Sequence, residues 1–384
     1  MPRARLAILI FALTLFAPSD ARSQTSVSDA KPLRVAMAGL THGHASGLLQ
    51  HIKNRHDVEL VGIAEPDKTL FDRYAKDYNL DPKLYHAELD ELLTATHPQA
   101  VLIYTTTFGH RQAVEICARH KTPAMMEKPL AVSNEAAQAI AAAAHAANIP
   151  VVVNYETTWY RSNRAAFDLV HEHKIGEIRK VVVHDGHPGP QKIHVQPEFF
   201  AWLNDPKLNG AGALFDFGCY GADLMTWLMD NTEPNSVTGI TQHFQPDIYT
   251  QVDDEGTIVV TYPHAQAIFQ ASWNWPFDRK DLEVYGATGY AITVKRDDIR
   301  VRLPNSEEEL VAAKPIPPPY DDSIDYLRAV VIDGMKPDGP SSLETNLVVT
   351  EILDAARASA SSGKRVRAGI YMEADLRPTT PASH

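Results

Sequence analysis

The chain has 384 residues, 44% hydrophobic and 22% charged, with a formal charge of −12, enough for two domains with their own cores. That acidity repels phosphate backbones and anionic lipid, so neither nucleic acid nor a membrane surface is an expected partner. Only two cysteines occur, Cys117 and Cys219; they read as buried thiols rather than a disulfide, which a core of this size does not need.

Arg3 and Arg5 precede an apolar run over 6–16, followed by Pro18 and a small-residue site at Ala21-Arg22-Ser23. This is the order of a secretory signal peptide, assigned to 1–23. The run falls short of the about 20 apolar residues of a membrane span. No cysteine follows for a lipid anchor, and the arginines are not adjacent as in a twin-arginine signal. The expectation is an exported chain, periplasmic or secreted, without a membrane anchor.

From Leu33, short apolar runs alternate with amphipathic stretches, the pattern of a parallel sheet with crossover helices. Strands are predicted at 33–38, 58–64, 100–105, 124–126 and 151–154, with helices at 46–55, 68–78, 111–120 and 133–147. The last helix starts from Ser133 as N-cap. Residues 31–154 are therefore expected to form a Rossmann dinucleotide-binding domain. After Trp159 the pattern changes: a helix over 163–173, a strand over 179–184, a long polar loop, and a helix over 220–229. Strands at 236–244, 256–262, 266–273, 281–285, 290–294 and 299–303 follow, joined by short turns such as Pro263-His264, which argues a mostly antiparallel sheet. Helices over 322–332 and 343–361 close a second domain, 155–370, reached through the extended connector 314–319. The tail past Asp375 carries no element.

The first strand ends in Gly39-Leu40-Thr41-His42-Gly43-His44, which meets a G-x-G-x-x-G fingerprint only at Gly39. Thr41 offers a hydroxyl to phosphate, the following helix N-terminus favours an anion, and His42 and His44 are candidates for phosphate or substrate contact. Glu65 ends the second strand, placed to accept from ribose hydroxyls. A carboxylate there favours NAD over NADP, with Lys68 close enough to oppose it. Beyond the buried run at 124–126 stands Glu127-Lys128-Pro129, with a lysine where α/β sheets present their chemistry. His184, His187 and His194 flank Asp185 at irregular spacing, so no metal is expected; His184 and His187 read as a polar wall for a sugar. Trp273 and Trp275 read as sheet packing, with stacking on a sugar face as the other possibility.

Together these residues resemble the glucose–fructose oxidoreductase / inositol dehydrogenase (Gfo/Idh/MocA) family over essentially the whole chain after the leader. Val101–Thr105, with Thr107 and His110 after it, is similar to that family's dinucleotide-contacting strand and loop. Glu127-Lys128-Pro129-Leu130-Ala131 is similar to its best-known tripeptide in its usual setting. The run from Gly210 through Asp216, Gly218 and Tyr220 to Asp223 resembles its second signature, and Glu283–Gly289 and 343–361 match later landmarks. Where Tyr220 stands many members have His; Tyr resembles the glucose–fructose oxidoreductase and pyranose dehydrogenase branches. Thr158 stands where many relatives carry an arginine.

The resemblance implies an α/β Rossmann domain plus an α+β domain with an open, mostly antiparallel sheet, whose outer face builds a homo-oligomer. It carries Lys128, Asp216 and Tyr220 over as catalytic residues, with a cis Lys128-Pro129 bond. Gly39, Thr41, His42, Glu65, Thr105, His110, Glu127 and Lys128 are assigned to the cofactor, and His184, His187 and Tyr155 to the substrate. Oxidising a secondary alcohol requires removing the hydroxyl proton and stabilising the developing carbonyl oxygen. Lys128 suits the second task. Tyr220 suits the first if the lysine draws its phenol pKa down, and Asp216 orients either group or binds a sugar hydroxyl. The expectation is an exported NAD(P)-dependent oxidoreductase of a sugar or polyol, holding NAD or NADP tightly because little circulates outside the cytoplasm. Two other readings stand beside it: an NAD-dependent glycoside hydrolase working by transient oxidation and elimination, and a non-catalytic sugar-binding relative.

Overall fold

A computed structural model describes residues 31–367; the leader at 1–23 and the tail past Asp375 lie outside the described residues. The first half is built on six parallel strands: β1 (Leu33–Ala38), β2 (Val58–Ala64), β3 (Tyr85–His86), β4 (Ala100–Ile103), β5 (Ala124–Glu127) and β6 (Val151–Asn154), in the order β3-β2-β1-β4-β5-β6. β4 and β5 are buried at every residue, as expected of strands covered on both faces by crossover helices. The crossovers are α1 (Ala45–Lys53), α2 (Lys68–Tyr78), α3 (Leu89–Thr96), α4 (His110–Arg119) and α5 (Asn134–Ala147). Ser133 caps α5 by accepting the Ala136 N–H, and Asn148 ends it in the left-handed region. β3 and α3, within 85–96, were not anticipated from the sequence.

The second half opens with α6 (Arg161–His171) and the strand β7 (Ile178–Gly186). The predicted polar loop then contains three short helices: α7 (Pro197–Leu203), α8 (Pro206–Asn209) and α9 (Ala213–Asp216). After α10 (Gly218–Leu228) come β8 (Ser236–Gln242), β9 (Glu255–Thr261), β10 (Gln266–Ser272), β11 (Arg279–Gly286), β12 (Tyr290–Thr293), β13 (Asp298–Arg302) and β14 (Glu309–Ala312). The helices α11 (Ser323–Ile332) and α12 (Leu343–Ser362) and the short β15 (Val366–Arg367) complete the chain. The nine strands run β14-β13-β12-β11-β7-β10-β9-β8-β15, all antiparallel except the β7–β10 pair. The open, mostly antiparallel sheet is therefore as expected. Both cysteines are buried and free. No helix among the described residues is long and apolar enough to cross a membrane.

What fixes the first sheet against the second is α12. Its Asp354 accepts the Asn134 N–H at the start of α5 at 2.9 Å, and Arg357 donates to the carbonyls of Val132 (3.0 Å) and Gly210 (2.7 Å). Asn346, one turn into the helix, accepts from the Tyr155 hydroxyl at 2.9 Å just after β6. These are buried or half-buried polar bonds between segments about 200 residues apart, so the two signature loops meet in one geometry.

Candidate active site

Lys128 leaves the end of β5 through a cis peptide to Pro129 and enters the interface between the sheets. Its ammonium donates to the Asp216 carboxylate Oδ1 at 2.6 Å and to the Asp216 carbonyl at 2.9 Å. The other carboxylate oxygen accepts from the Trp273 indole at 2.9 Å. Both partners are buried. Burial alone would neutralise each of them, but the pairing wins: Asp216 is held down at about 2 and Lys128 above its ordinary range. A fixed cation thus stands at the carboxyl ends of the parallel strands, and Trp273 has a structural role rather than a sugar-stacking one.

The pair lies against a cleft of about 510 Å³ also lined by His44, Glu156, His187, Tyr220, Lys280 and Arg296, a size suited to a small ligand. Tyr220 departs from expectation. The ammonium groups of Lys128 and Lys280 lie over its ring, 5.1 and 4.9 Å from the centroid. Burial, reinforced by Glu156, pushes the phenol well above its ordinary value. It is a hydrogen-bonding group rather than a ready base. Lys280 also pairs with Glu156. Neither was singled out from the sequence: the β7–β11 register, with Lys280 opposite Asp185, brings the lysine to the cleft, where it meets Glu156 from the turn after β6.

Three assigned residues lie elsewhere. Tyr155 is fully buried behind Tyr220, edge-on to it at 5.6 Å, with its hydroxyl spent on Asn346. His184 points to the opposite side of β7 from the buried Val183 and Asp185 and packs beside Trp275; strand alternation put His184 and His187 on different surfaces. His110 is buried under the tripeptide loop with Nδ1 3.2 Å from the Leu130 carbonyl, so it supports that loop instead of contacting a cofactor. Burial lowers its pKa to about 4. An imidazole free in the unfolded chain takes a proton near pH 6.5, so folding stability is whole above that pH and falls as pH drops toward 4. The loss from this one group is about 3 kcal/mol. Urea unfolding between pH 7 and 4 should show this limb flattened in His110→Asn, which keeps a donor for Leu130.

Glu127 is buried, and its two oxygens are shared between His44 Nδ1 (3.0 Å) and Asn154 Nδ2 (3.2 Å). Burial would raise it, but His44, His42 and Lys128 outweigh that and hold it at about 2. It braces the site rather than touching a cofactor from the surface. A ring nitrogen of His42, one of His44 and an oxygen of Glu127 lie within 4.8 Å of one another. However, His42 Nδ1 already accepts the His44 N–H at 3.2 Å, which occupies the single lone pair of a neutral imidazole.

The β1–α1 turn shows how a dinucleotide would be held. Gly39 adopts φ +81, and a Cβ there would strike Thr105, so the close approach of these loops requires glycine. Glu65, expected at the ribose, is turned inward: its Oε2 accepts the Leu40 N–H at 2.8 Å and its Oε1 the Asp67 N–H at 3.0 Å. Glu65 thereby ties the glycine-poor turn to the loop after β2. The His42 N–H goes to the Tyr104 carbonyl. Among the described residues, nothing accepts the N–H groups of Thr41 and Gly43, ahead of an α1 N-terminus with no side-chain cap. Those two donors and the helix end fit a phosphate, so the residues present accommodate a dinucleotide. Across the turn lies α7, where Trp202 donates to the Thr41 carbonyl at 3.1 Å and Phe199 packs on His42.

Residues 33–155 match the model of an oxidoreductase family with an NAD-binding Rossmann fold, and residues 163–292 match the GFO/IDH/MocA C-terminal domain. The chain belongs to the Gfo/Idh/MocA family. It is thereby an NAD(P)-dependent oxidoreductase. A trans-1,2-dihydrobenzene-1,2-diol dehydrogenase of Xenopus laevis is 22% identical over 313 residues, 78% of this chain and 89% of that protein. A D-xylose 1-dehydrogenase [NADP(+)] of Haloarcula marismortui is 24% identical over 272 residues, 70% and 74% of the two chains. Among solved structures, an aldose-aldose oxidoreductase from Caulobacter crescentus complexed with glycerol superposes with a TM-score of 0.74 at 20% identity, covering 88% of this chain and 100% of that one.

Proposed function

We propose that this protein is an exported dehydrogenase that oxidises a secondary hydroxyl of a sugar or polyol, with NAD as a tightly held cofactor. The observation that carries the reading is the Lys128–Asp216 pair, assembled from both halves of the chain at the wall of a polar cleft of about 510 Å³. A cation fixed in a buried site stabilises the negative charge that develops on a substrate oxygen, without reorganisation at the moment of reaction. Asp216 and Trp273 hold it in place. The His187 ring, whose Nδ1 accepts the Gly189 N–H at 3.0 Å, presents an Nε2–H to a sugar hydroxyl, and Lys280 and Glu156 form a further polar wall. The similarity to sugar and diol dehydrogenases points to the same substrate class.

A bound nicotinamide dinucleotide supplies the hydride acceptor, and Thr41, Gly43 and the α1 N-terminus would hold its phosphates. Asp67, exposed and ionised as the N-cap of α2 just past β2, disfavours a 2′-phosphate, which supports NAD. The packing of α7 on the turn supports slow release. Assembly through the outer face of the nine-stranded sheet, where Val182 and Ile268 are only half-buried, completes the proposal.

Denaturing the purified protein is expected to release about one equivalent of NAD, identified by mass spectrometry. A panel of aldoses, polyols and glycosides offered without added nucleotide should then reduce the bound cofactor. Protein free of nucleotide and without measurable affinity for NAD or NADP would sink the reading. Aglycone release with no net redox change would transfer the same site to hydrolysis by transient oxidation.

A further inference from the structure

Oxidation of a carbinol needs a group that takes the hydroxyl proton, and none of the three residues carried over from the family is free to do so. Lys128 holds its protons against Asp216, both Asp216 oxygens are engaged, and the buried Tyr220 phenol is a poor acceptor. The histidines can be sorted by their hydrogen bonds, since a neutral imidazole has one N–H and one lone pair. In His187 and His42 the lone pair is at Nδ1 and already accepts a backbone N–H, from Gly189 and His44 respectively. His44 is the reverse. Its Nδ1 lies 3.0 Å from Glu127 Oε2, an ionised carboxylate that only accepts, so Nδ1 carries the hydrogen and the lone pair is left on Nε2. The ring is half-exposed where it lines the cleft beside Lys128, whereas Glu127 beneath it is buried.

We propose that His44 is the catalytic base of the dehydrogenation and that Glu127 is its positioning residue, a carboxylate–imidazole dyad built from the β1–α1 turn and the end of β5. The inference rests on the dehydrogenase reading above. In the step, the substrate O–H bond breaks and its proton passes to His44 Nε2. The oxygen's electrons form the carbonyl, and the C–H electron pair leaves as hydride, for which an oxidised nicotinamide dinucleotide held at the β1–α1 turn would be the acceptor. Glu127 fixes the tautomer and stabilises the imidazolium that results, as the carboxylate of a hydrolase triad does. Consecutive residues of one tripeptide therefore serve both requirements: Glu127 backs the base and Lys128 faces the oxygen.

Glu127→Gln separates this dyad from a merely structural contact. Asn154 Nδ2 donates to Glu127 Oε1 at 3.2 Å, so a glutamine keeps its carbonyl toward Asn154 and turns its NH₂ toward His44. The hydrogen of the His44 ring must then move to Nε2, removing the lone pair from the cleft. Proton–nitrogen correlation spectra of ¹⁵N-histidine-labelled protein at neutral pH are expected to show His44 with Nδ1 protonated and Nε2 bare, and the reverse in Glu127→Gln. Turnover should fall about 10²- to 10⁴-fold in His44→Ala, with bound nucleotide retained and at least about tenfold of the loss restored by added imidazole. An Nε2–H tautomer in the unmodified protein, a metal ion on the His44 ring, or unchanged turnover in His44→Ala would overturn the dyad. If no panel substrate reacts, the dehydrogenase reading fails, and the tautomer spectra still decide the dyad.

Discussion

Lys128→Met is expected to lower turnover by about 10²- to 10³-fold, the effect of removing one fixed electrostatic stabiliser from a reacting oxygen. It should also weaken folding by about 3–5 kcal/mol, because it leaves the Asp216 carboxylate buried without its cation. The two consequences have different pH signatures. In the unmodified protein the Asp216 carboxyl is depressed to about 2, so its pairing stabilises the fold at neutral pH and fades as pH falls toward 2. In the variant, burial dominates and the carboxyl titrates above its unfolded value. Its penalty is then full at neutral pH and shrinks as acid supplies the proton. Urea unfolding of both proteins from pH 8 to pH 4 should show the stability gap closing on the acid side, while turnover of the variant stays low throughout. A gap independent of pH would mean that Asp216 is held by something other than Lys128. Asp216→Asn is the reciprocal experiment, and the double variant should be less damaged in stability than the sum of the two, since it leaves no lone charge behind.

The parts legible from sequence are those in which a residue's role is fixed by its own strand. Lys128 follows a run buried on both faces, so its position beyond the strand end is dictated by β5 itself, and the 210–223 signature supplied Asp216. Other assignments failed where a neighbour decides. Glu65 directly follows β2, but its carboxylate folds onto the Leu40 and Asp67 N–H groups, a choice made by the neighbouring β1–α1 turn and not by its own strand. His184 and His187 looked like one wall, yet a strand sends alternate residues to opposite faces, and only His187 reaches the cleft. The helices at 197–209 were readable in principle, because Pro197 and Pro206 each stand in a first helical turn. They were obscured by the Gly- and Pro-rich sequence around them. The His44 tautomer could not be read at all from spacing, since it follows from a bond to a residue 83 positions away.

Asp253→Ala is expected to destabilise the protein by about 2–5 kcal/mol and to lower turnover with it, although Asp253 lies outside the cleft. Its two carboxylate oxygens accept the N–H groups of Gly212 at 2.9 Å and Leu214 at 2.7 Å, and its backbone carbonyl accepts the Ala213 N–H at 2.9 Å. All of these are buried, and each amide left without its acceptor costs about 1–3 kcal/mol. The clamp sits at the start of α9, whose last residue is Asp216, so it sets the height of the carboxylate that holds Lys128. Gly212→Ala attacks the same clamp from the other side. A Cβ there would come within 1.7 Å of the Asp253 carbonyl oxygen, a backbone atom that cannot step aside without dragging the loop before β9. Its effect should exceed that of Asp253→Ala, up to failure to accumulate folded protein. Asp253→Asn keeps one acceptor and should fall between the unmodified protein and Asp253→Ala. The discriminating measurement is turnover against nucleotide content: a loosened clamp displaces Asp216 but leaves the β1–α1 turn intact, so the folded fraction of Asp253→Asn should retain its NAD while losing rate. Loss of both together would place the clamp in general folding rather than in the alignment of Lys128. Retained rate would show that the lysine is fixed from the Rossmann side alone.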